Sequence, residues 1–395
     1  MRVIRASIIA VVVGSAGCSD AASNGWTVSE QKSSGGVSHV VNVPPADGIR
    51  PTWKVEPEVR IGEIEGTGPD VFGQVKGLVI DAQGRMIVLD AAAQELRVFA
   101  PDGRHLRTMG KKGAGPGEFS GANGMVIGHD DVVRVNDPQN KRISLFSADS
   151  GFVTSFAIDV RSYGWVWRAM IDTALVTWES TLIARDSSYI YGLKGYDAQG
   201  RWTDTILDEP LDMNRTNPGS YSWRTATGGG VMSVPFWPTR HELMDSKRFY
   251  WSTEDTNEYR ITRTTLQRDT VLILEAKRPL VAVSAHERDS AIAAVRKSAG
   301  QQDWSLIPEY KPLIRQLFLS DEGDLWVSVE TGDAASTTYD VFGGDGRYKG
   351  TAVINARVER WVSPIVRSDT FWAIVRDDLD VAYVIRGRLT PAEQN

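Results

Sequence analysis

Between residues 77 and 103 the apolar positions fall in short runs broken by turn formers. The runs are Gly77-Leu78-Val79-Ile80, Arg85-Met86-Ile87-Val88-Leu89-Asp90 and Glu95-Leu96-Arg97-Val98-Phe99, and the breaks are Asp81-Ala82-Gln83-Gly84 and Pro101-Asp102-Gly103. β-prone runs joined by Asp/Gly turns predict a meander of antiparallel strands. The pattern then repeats. Gly66-Thr67-Gly68-Pro69-Asp70-Val71-Phe72 returns as Gly113-Ala114-Gly115-Pro116-Gly117-Glu118-Phe119, Asp90 as Asp137 and Phe99 as Phe146, each 47 residues further on. A third clear copy runs through Leu317-Phe318-Leu319, the turn Asp321-Glu322-Gly323, Asp324-Leu325-Trp326-Val327, Tyr339-Asp340-Val341-Phe342 and Asp345-Gly346-Arg347. Fainter copies lie around Leu175-Val176-Thr177-Trp178, Phe249-Tyr250-Trp251 and Phe371-Trp372-Ala373-Ile374, which brings the count to six units.

A meander of this size cannot bury both faces alone, so neighbouring units must stack, and radial stacking leaves only short protected edges. Residues 53–391 allow about 56 residues per unit, near the length of known blade repeats. The expected fold is therefore all-β, a six-bladed β-propeller over residues 51–391. The last unit lacks an outermost strand, and Pro57-Glu58-Val59-Arg60-Ile61-Gly62 stands before the first glycine loop as a strand without a blade. It is expected to complete blade six and close the ring. One segment departs from the β pattern: Ser284-Ala285-His286-Glu287 has the form of a capping box, and Ala291, Ile292, Ala294 and Val295 follow on one helical face. A short inserted helix between blades four and five is predicted.

These units resemble the NHL-repeat six-bladed β-propellers, which carry a Gly-Pro-x-x-Phe loop, an Asp-Gly turn, a Val-x-Asp strand end and a basic-apolar-x-Phe strand. The resemblance is close in units one, two and five. It implies the fold and leaves the activity open. The glycine loops are not followed by Lys-Ser/Thr and do not sit in a βα unit, so they read as blade-to-blade turns rather than phosphate cradles.

The N-terminus carries Arg2 and Arg5, the apolar run Ile8-Ile9-Ala10-Val11-Val12-Val13 and then small residues. That length suits a secretory signal over residues 1–17 and is too short for a stable membrane span. Ser15-Ala16-Gly17-Cys18 resembles a bacterial lipoprotein box, which implies that Cys18, the one cysteine of the chain, is the lipid attachment site. Residues 18–50, with Ser33, Ser34, Gly35, Gly36, Pro44 and Pro45, read as a flexible lipidated tether. The expected location is the bacterial cell envelope, with the membrane as a partner through the anchor.

The net charge of −6 becomes −8 once a leader with two arginines and no acid is removed. That balance argues against nucleic acid as a partner. The five histidines suggest no metal site: four residues after His241 and His286, where a second zinc ligand would stand, are Asp245 and Ser290. Asp377, Asp378 and Asp380 read as a solvated turn, and Asp90 and Asp137 as turn-holding residues. There is no Gly-x-Ser-x-Gly elbow, and no catalytic residue, metal or cofactor is expected.

In a propeller the first strand of each blade lines the channel, and its starting residues surround the mouth. Lys76 lies eight residues before Gly84 and Arg315 eight before Gly323, while the 47-residue offset gives Asn123 in the second unit. The third, fourth and sixth units offer Trp165, Trp167 and Arg168; Trp237 and Arg240; and Arg360 and Trp361. A cationic, aromatic mouth on an acidic body suits an anionic small molecule, glycan or protein segment. The leading expectation is thus a lipid-anchored binding protein that takes its ligand there, through Lys76, Asn123, Arg168, Arg240 and Arg315. The alternatives are an envelope hydrolase or lyase using the same mouth and a structural partner in an envelope complex.

Overall fold

The computed structural model describes residues 25–157, 177–185, 188–196, 202–211, 219–225, 228–245, 247, 249–254 and 256–393. The leader, Cys18 and the 165–168 neighbourhood lie outside the described residues. Blade one is Val75–Ile80, Met86–Asp90, Glu95–Phe99 and His105–Met109, each strand antiparallel to the next. Blade two repeats it with Gly124–Ile127, Val132–Asp137, Arg142–Ser147 and Gly151–Ala157. Thr177–Arg185, Ser188–Tyr196 and Trp202–Leu211 are the described strands of blade three. Blade four comprises Glu242–Met244, Tyr250–Thr253, Arg260–Thr264 and Thr270–Ala276; blade five comprises Ile314–Leu319, Leu325–Val329, Thr337–Phe342 and Tyr348–Ile354. The turn glycines Gly84 and Gly323 hold φ of 75° and 85°, left-handed values that glycine adopts without a Cβ clash.

Blade six is assembled from both ends of the chain. Thr370–Arg376 and Ala382–Pro391 are followed outward by Trp53–Ile61, paired antiparallel from Trp53 opposite Pro391 to Ile61 opposite Val384. The expected closure is present, and it joins the first and last blades through a hydrogen-bonded ladder. The middle strands Met86–Asp90, Leu325–Val329 and Thr337–Phe342 are buried almost throughout, because neighbouring blades cover both their faces, whereas outer strands such as His105–Met109 alternate. Ile87 and Leu89 meet Val133 and Val135 between blades one and two. Trp326 and Tyr339 meet Phe371 between blades five and six.

The expectation of a free tether over residues 18–50 differs from what is found. Thr27–Lys32 and Ser38–Val43 form an antiparallel hairpin, and the second strand pairs in parallel with Thr270–Ala276, extending blade four to six strands. Val40 is 0% exposed, and Trp26 stacks on Tyr348 with ring centroids 3.9 Å apart. The buried Asn42 side chain donates to the carbonyls of Glu275 and Gly346 and accepts from the Tyr348 N–H, at 2.9–3.1 Å. It thereby stitches blade four to blade five. The Ser-Gly cluster at 33–36 is the hairpin turn.

The inserted helix spans Ala285–Ala299 with Ser284 as N-cap and the full capping box. Its buried residues are Val295 and Ala299, with Ala291 and Ile292 partly buried, while Ala294 faces solvent rather than joining the stripe. The helix rests on Tyr221, Val234, Trp237, Trp304 and Ile307. Helix and hairpin 220–233 both belong to connections that run from one blade to the next inner strand, so they cap the mouth end.

Candidate functional site

The inner strand of blade one is irregular at its second residue. Val75 stands opposite Asp90 and Gly77 opposite Leu89, which leaves Lys76 as the extra residue of a β-bulge. Blade five repeats this: Ile314 stands opposite Val329 and Gln316 opposite Ser328, and the extra residue is Arg315. A bulge re-aims a side chain out of the ladder. Both equivalent cations are therefore turned out of otherwise buried strands, Arg315 to 42% exposure. Lys76 has no carboxylate partner among the described residues.

In blade two the Asn123 N–H donates to the Asn136 carbonyl at 3.2 Å, beside Gly124 opposite Asn136. The Asn123 side-chain oxygen accepts from Asn136 Nδ2 at 3.1 Å. Asn123 thus shares the position, with its side-chain oxygen held by its own blade. Arg240 of blade four is bound to Glu242 at 2.7 Å, and Trp237 packs beneath the helix. Arg240 is thus engaged by a carboxylate of its own blade, and its neighbour His241 reaches the Ile314 carbonyl beside Arg315. Arg168, with Trp165 and Trp167, lies outside the described residues.

Blade six contributes the feature that counting did not reveal. Its inner strand is broken into Arg357–Val358 and Ile365–Arg367, which pair with opposite ends of Thr370–Arg376. The Glu359 N–H still reaches the Ile374 carbonyl at 2.8 Å, but residues 360–364 leave the ladder, where Pro364 has no N–H to donate. The bulge is fastened on both sides. Buried Gln316 of blade five donates from Nε2 to the Arg360 carbonyl at 2.9 Å, and Val362 packs with Val75 and Leu78 of blade one. Between these ties Trp361 stands 62% exposed, with the Arg360 guanidinium 4.7 Å from its ring centroid.

Partial burial and the nearby Arg315 charge lower the Arg360 guanidinium from its ordinary value, although water reaches its side chain. A cation walled by protein but open to water is what the lip of a channel produces. Glu359 is occupied elsewhere: burial would raise its carboxyl, but the Arg376 Nε hydrogen bond, at 2.6 Å, and the Trp361 N–H hold it low. Glu330 faces Arg315 at 3.5 Å and is 13% exposed. The offset of 239 that relates Gly84 to Gly323 puts Val329 where blade one has Asp90 and Glu330 where it has Ala91. The carboxylate that holds a loop in blade one is thus replaced by one set beside the bulged arginine. Blades five and six thus bring Arg315 and Arg360 together with the carboxylates Glu330 and Glu359, and blade one adds Lys76 at the equivalent strand start.

The histidine and carboxylate expectations resolve locally. His241 Nε2 lies 3.2 Å from the Ile314 carbonyl, which ties blade four to the start of blade five's inner strand. Asp377 accepts from the Leu379 and Val381 N–H groups and from the Tyr383 hydroxyl, as a turn residue does.

A profile of the family described as "6-bladed beta-propeller" matches residues 70–208. No curated protein matches the sequence. Among solved structures, a Bacteroides fragilis protein described as exported is similar at TM-score 0.51 and 11% identity, covering 90% of this chain and 100% of its own. The virginiamycin B lyase of Staphylococcus aureus is similar at TM-score 0.44 and 10% identity over 80% of this chain and 95% of its own. The corresponding values for a Xanthomonas campestris gluconolactonase are 0.42 and 10%, over 81% and 87%. At such identities the likeness concerns the fold, and the chain is a six-bladed β-propeller.

Proposed function

We propose that this protein is a binding protein of the bacterial cell envelope, held by a lipid on Cys18, that takes an anionic small molecule, glycan or protein segment at the channel mouth. The observation that carries the reading is the pair of equivalent bulges that turn Lys76 and Arg315 out of buried strands, beside Arg360 on a broken strand. An acidic chain gains no stability from setting Arg360 within reach of the Arg315 charge, which repels it. An NHL-type repeat accords with Phe72 and Phe119, the buried ends of the two Gly-Pro-x-x-Phe loops.

The envelope location is supported by the leader and by the description of the similar Bacteroides fragilis protein as exported. Thr27 lies nine residues beyond Cys18, a contour of at most ~32 Å. It also lies at the end of blade four from which the chain departs toward blade five's inner strand, so the anchor would hold the mouth side close to the bilayer. A hydrolase or lyase at the same mouth is the second reading, favoured by Glu330 as a carboxylate beside Arg315.

Thermal unfolding of the full chain against phosphates, carboxylates, acidic oligosaccharides and acidic peptides tests the binding role. The expected result is stabilisation by at least one anion that is lost in Lys76→Ala and Arg315→Ala. Stabilisation that persists in both variants, or that no anion gives, contradicts it.

A further inference from the structure

We infer that the ligand of the arc formed by blades five, six and one is a carboxylated sugar, which lays a ring on Trp361 and sets its carboxylate between Arg315 and Arg360. This rests on the anion-binding reading of the same mouth and names its ligand class. Trp361 is the starting point, because an indole left 62% exposed forgoes the burial that large aromatics ordinarily gain. The Arg360 guanidinium lies 4.7 Å from its ring centroid, a cation–π contact. The guanidinium engages the indole, and most of the residue's surface is still open to solvent. The segment carrying it is held by the Gln316 to Arg360 hydrogen bond on one side and by buried Val362 on the other, so the exposed indole is presented on a fixed element.

The anion follows from the charges. Arg315 and Arg360 lie close enough to repel, and no carboxylate is hydrogen-bonded to Arg360 among the described residues. A planar carboxylate placed between two guanidinium groups can accept from both. Glu330, 3.5 Å from Arg315, disfavours a dianionic phosphate more than a monoanionic carboxylate. The rest of the ligand follows from the flanks of the indole. Exposed Ser363 follows it, and Lys76 belongs to the neighbouring blade, so the surroundings offer hydrogen bonds rather than apolar walls. A ring with an apolar C–H face and hydroxyls at its edge satisfies both, whereas an aromatic acid would leave those polar groups without partners.

The test is calorimetric titration of the full chain with a galacturonate oligomer, a neutral galactose oligomer of equal length, inorganic phosphate and acetate, with tryptophan fluorescence in parallel. The galacturonate oligomer is expected to bind at least tenfold more tightly than the other three and to shift the tryptophan emission. Trp361→Ala should lose tenfold or more for that oligomer, and Arg315→Ala and Arg360→Gln should each do the same, with melting temperatures near wild type. If phosphate or acetate binds as tightly as the uronate and Trp361→Ala has no effect, the sugar inference fails while the anion site stands. Equal binding of the neutral oligomer also overturns it. If no anion binds, both readings fail.

Discussion

Asp90 and Asp137 perform one task at two places 47 residues apart. Each is buried at the end of a second strand, and each carboxylate accepts from the loop that leads into its blade's inner strand. Asp90 takes the N–H groups of Gly73 and Gln74, and Asp137 those of Ser120 and Gly121, at 2.9–3.0 Å. Gln74 is two residues before Lys76, so Asp90 fixes where the bulge begins. Removing such a carboxylate leaves several part-buried donors without their partner. Asp137→Ala, which also leaves Asn140 Nδ2 with only the Gly113 carbonyl, is expected to cost about 3 kcal/mol in urea unfolding, and Asp137→Asn less. The positions of Lys76 and Arg315 were legible because a meander fixes the count from turn to strand start. That the count lands on bulges was not, since a bulge depends on what the neighbouring strand pairs with. Nor was the ion pair of Arg240 with Glu242, which depends on how the two side chains fold back on each other.

At the scale of the element, the helix Ala285–Ala299 was the most readable piece, because its capping box is local chemistry. Glu287 carries a pH dependence with it. The ion pair with Lys311, at 2.6 Å, and the Ser284 N–H and hydroxyl hold its carboxyl down to about 2 from the ordinary 4.5. A depressed folded value means that the contribution is complete above about pH 4.5 and is lost as pH falls toward 2. Amide exchange in the first turn of the helix should therefore quicken across that window relative to the rest of the chain. In Glu287→Gln the added acid dependence should vanish; an unchanged profile would remove Glu287 as its source. The N-terminal hairpin was the least readable element. Thr27–Lys32 is an exposed edge strand with almost no apolar pattern, and only Val40 and Asn42 of its partner are fully buried. The parallel pairing that holds it involves residues more than 230 positions away, which no local pattern reports. The broken inner strand of blade six lies between these cases, signalled by Pro364 but placed by ties to two other blades.

Over the whole molecule, repetition made the architecture legible and divergence made the site. Six similar units specify a ring, and the strand Trp53–Ile61 closes it. The proposed site lies where the units stop being equivalent: Asn123 bonded to Asn136, Arg240 paired with Glu242, Lys76 and Arg315 on bulges, and the inner strand of blade six interrupted. The central claim is that anion binding belongs to the arc of blades five, six and one and not to the mouth as a whole. The most direct measurement is the affinity of the stabilising anion, by titration calorimetry, for Arg315→Glu and Arg240→Glu side by side. Both substitutions change the total charge equally, so long-range effects are matched. The account predicts that Arg315→Glu weakens binding at least tenfold while Arg240→Glu leaves it within about twofold of wild type, which at ~0.4 kcal/mol is the scale of a screened surface charge. Equal losses in the two variants, or a larger loss from Arg240→Glu, would contradict it.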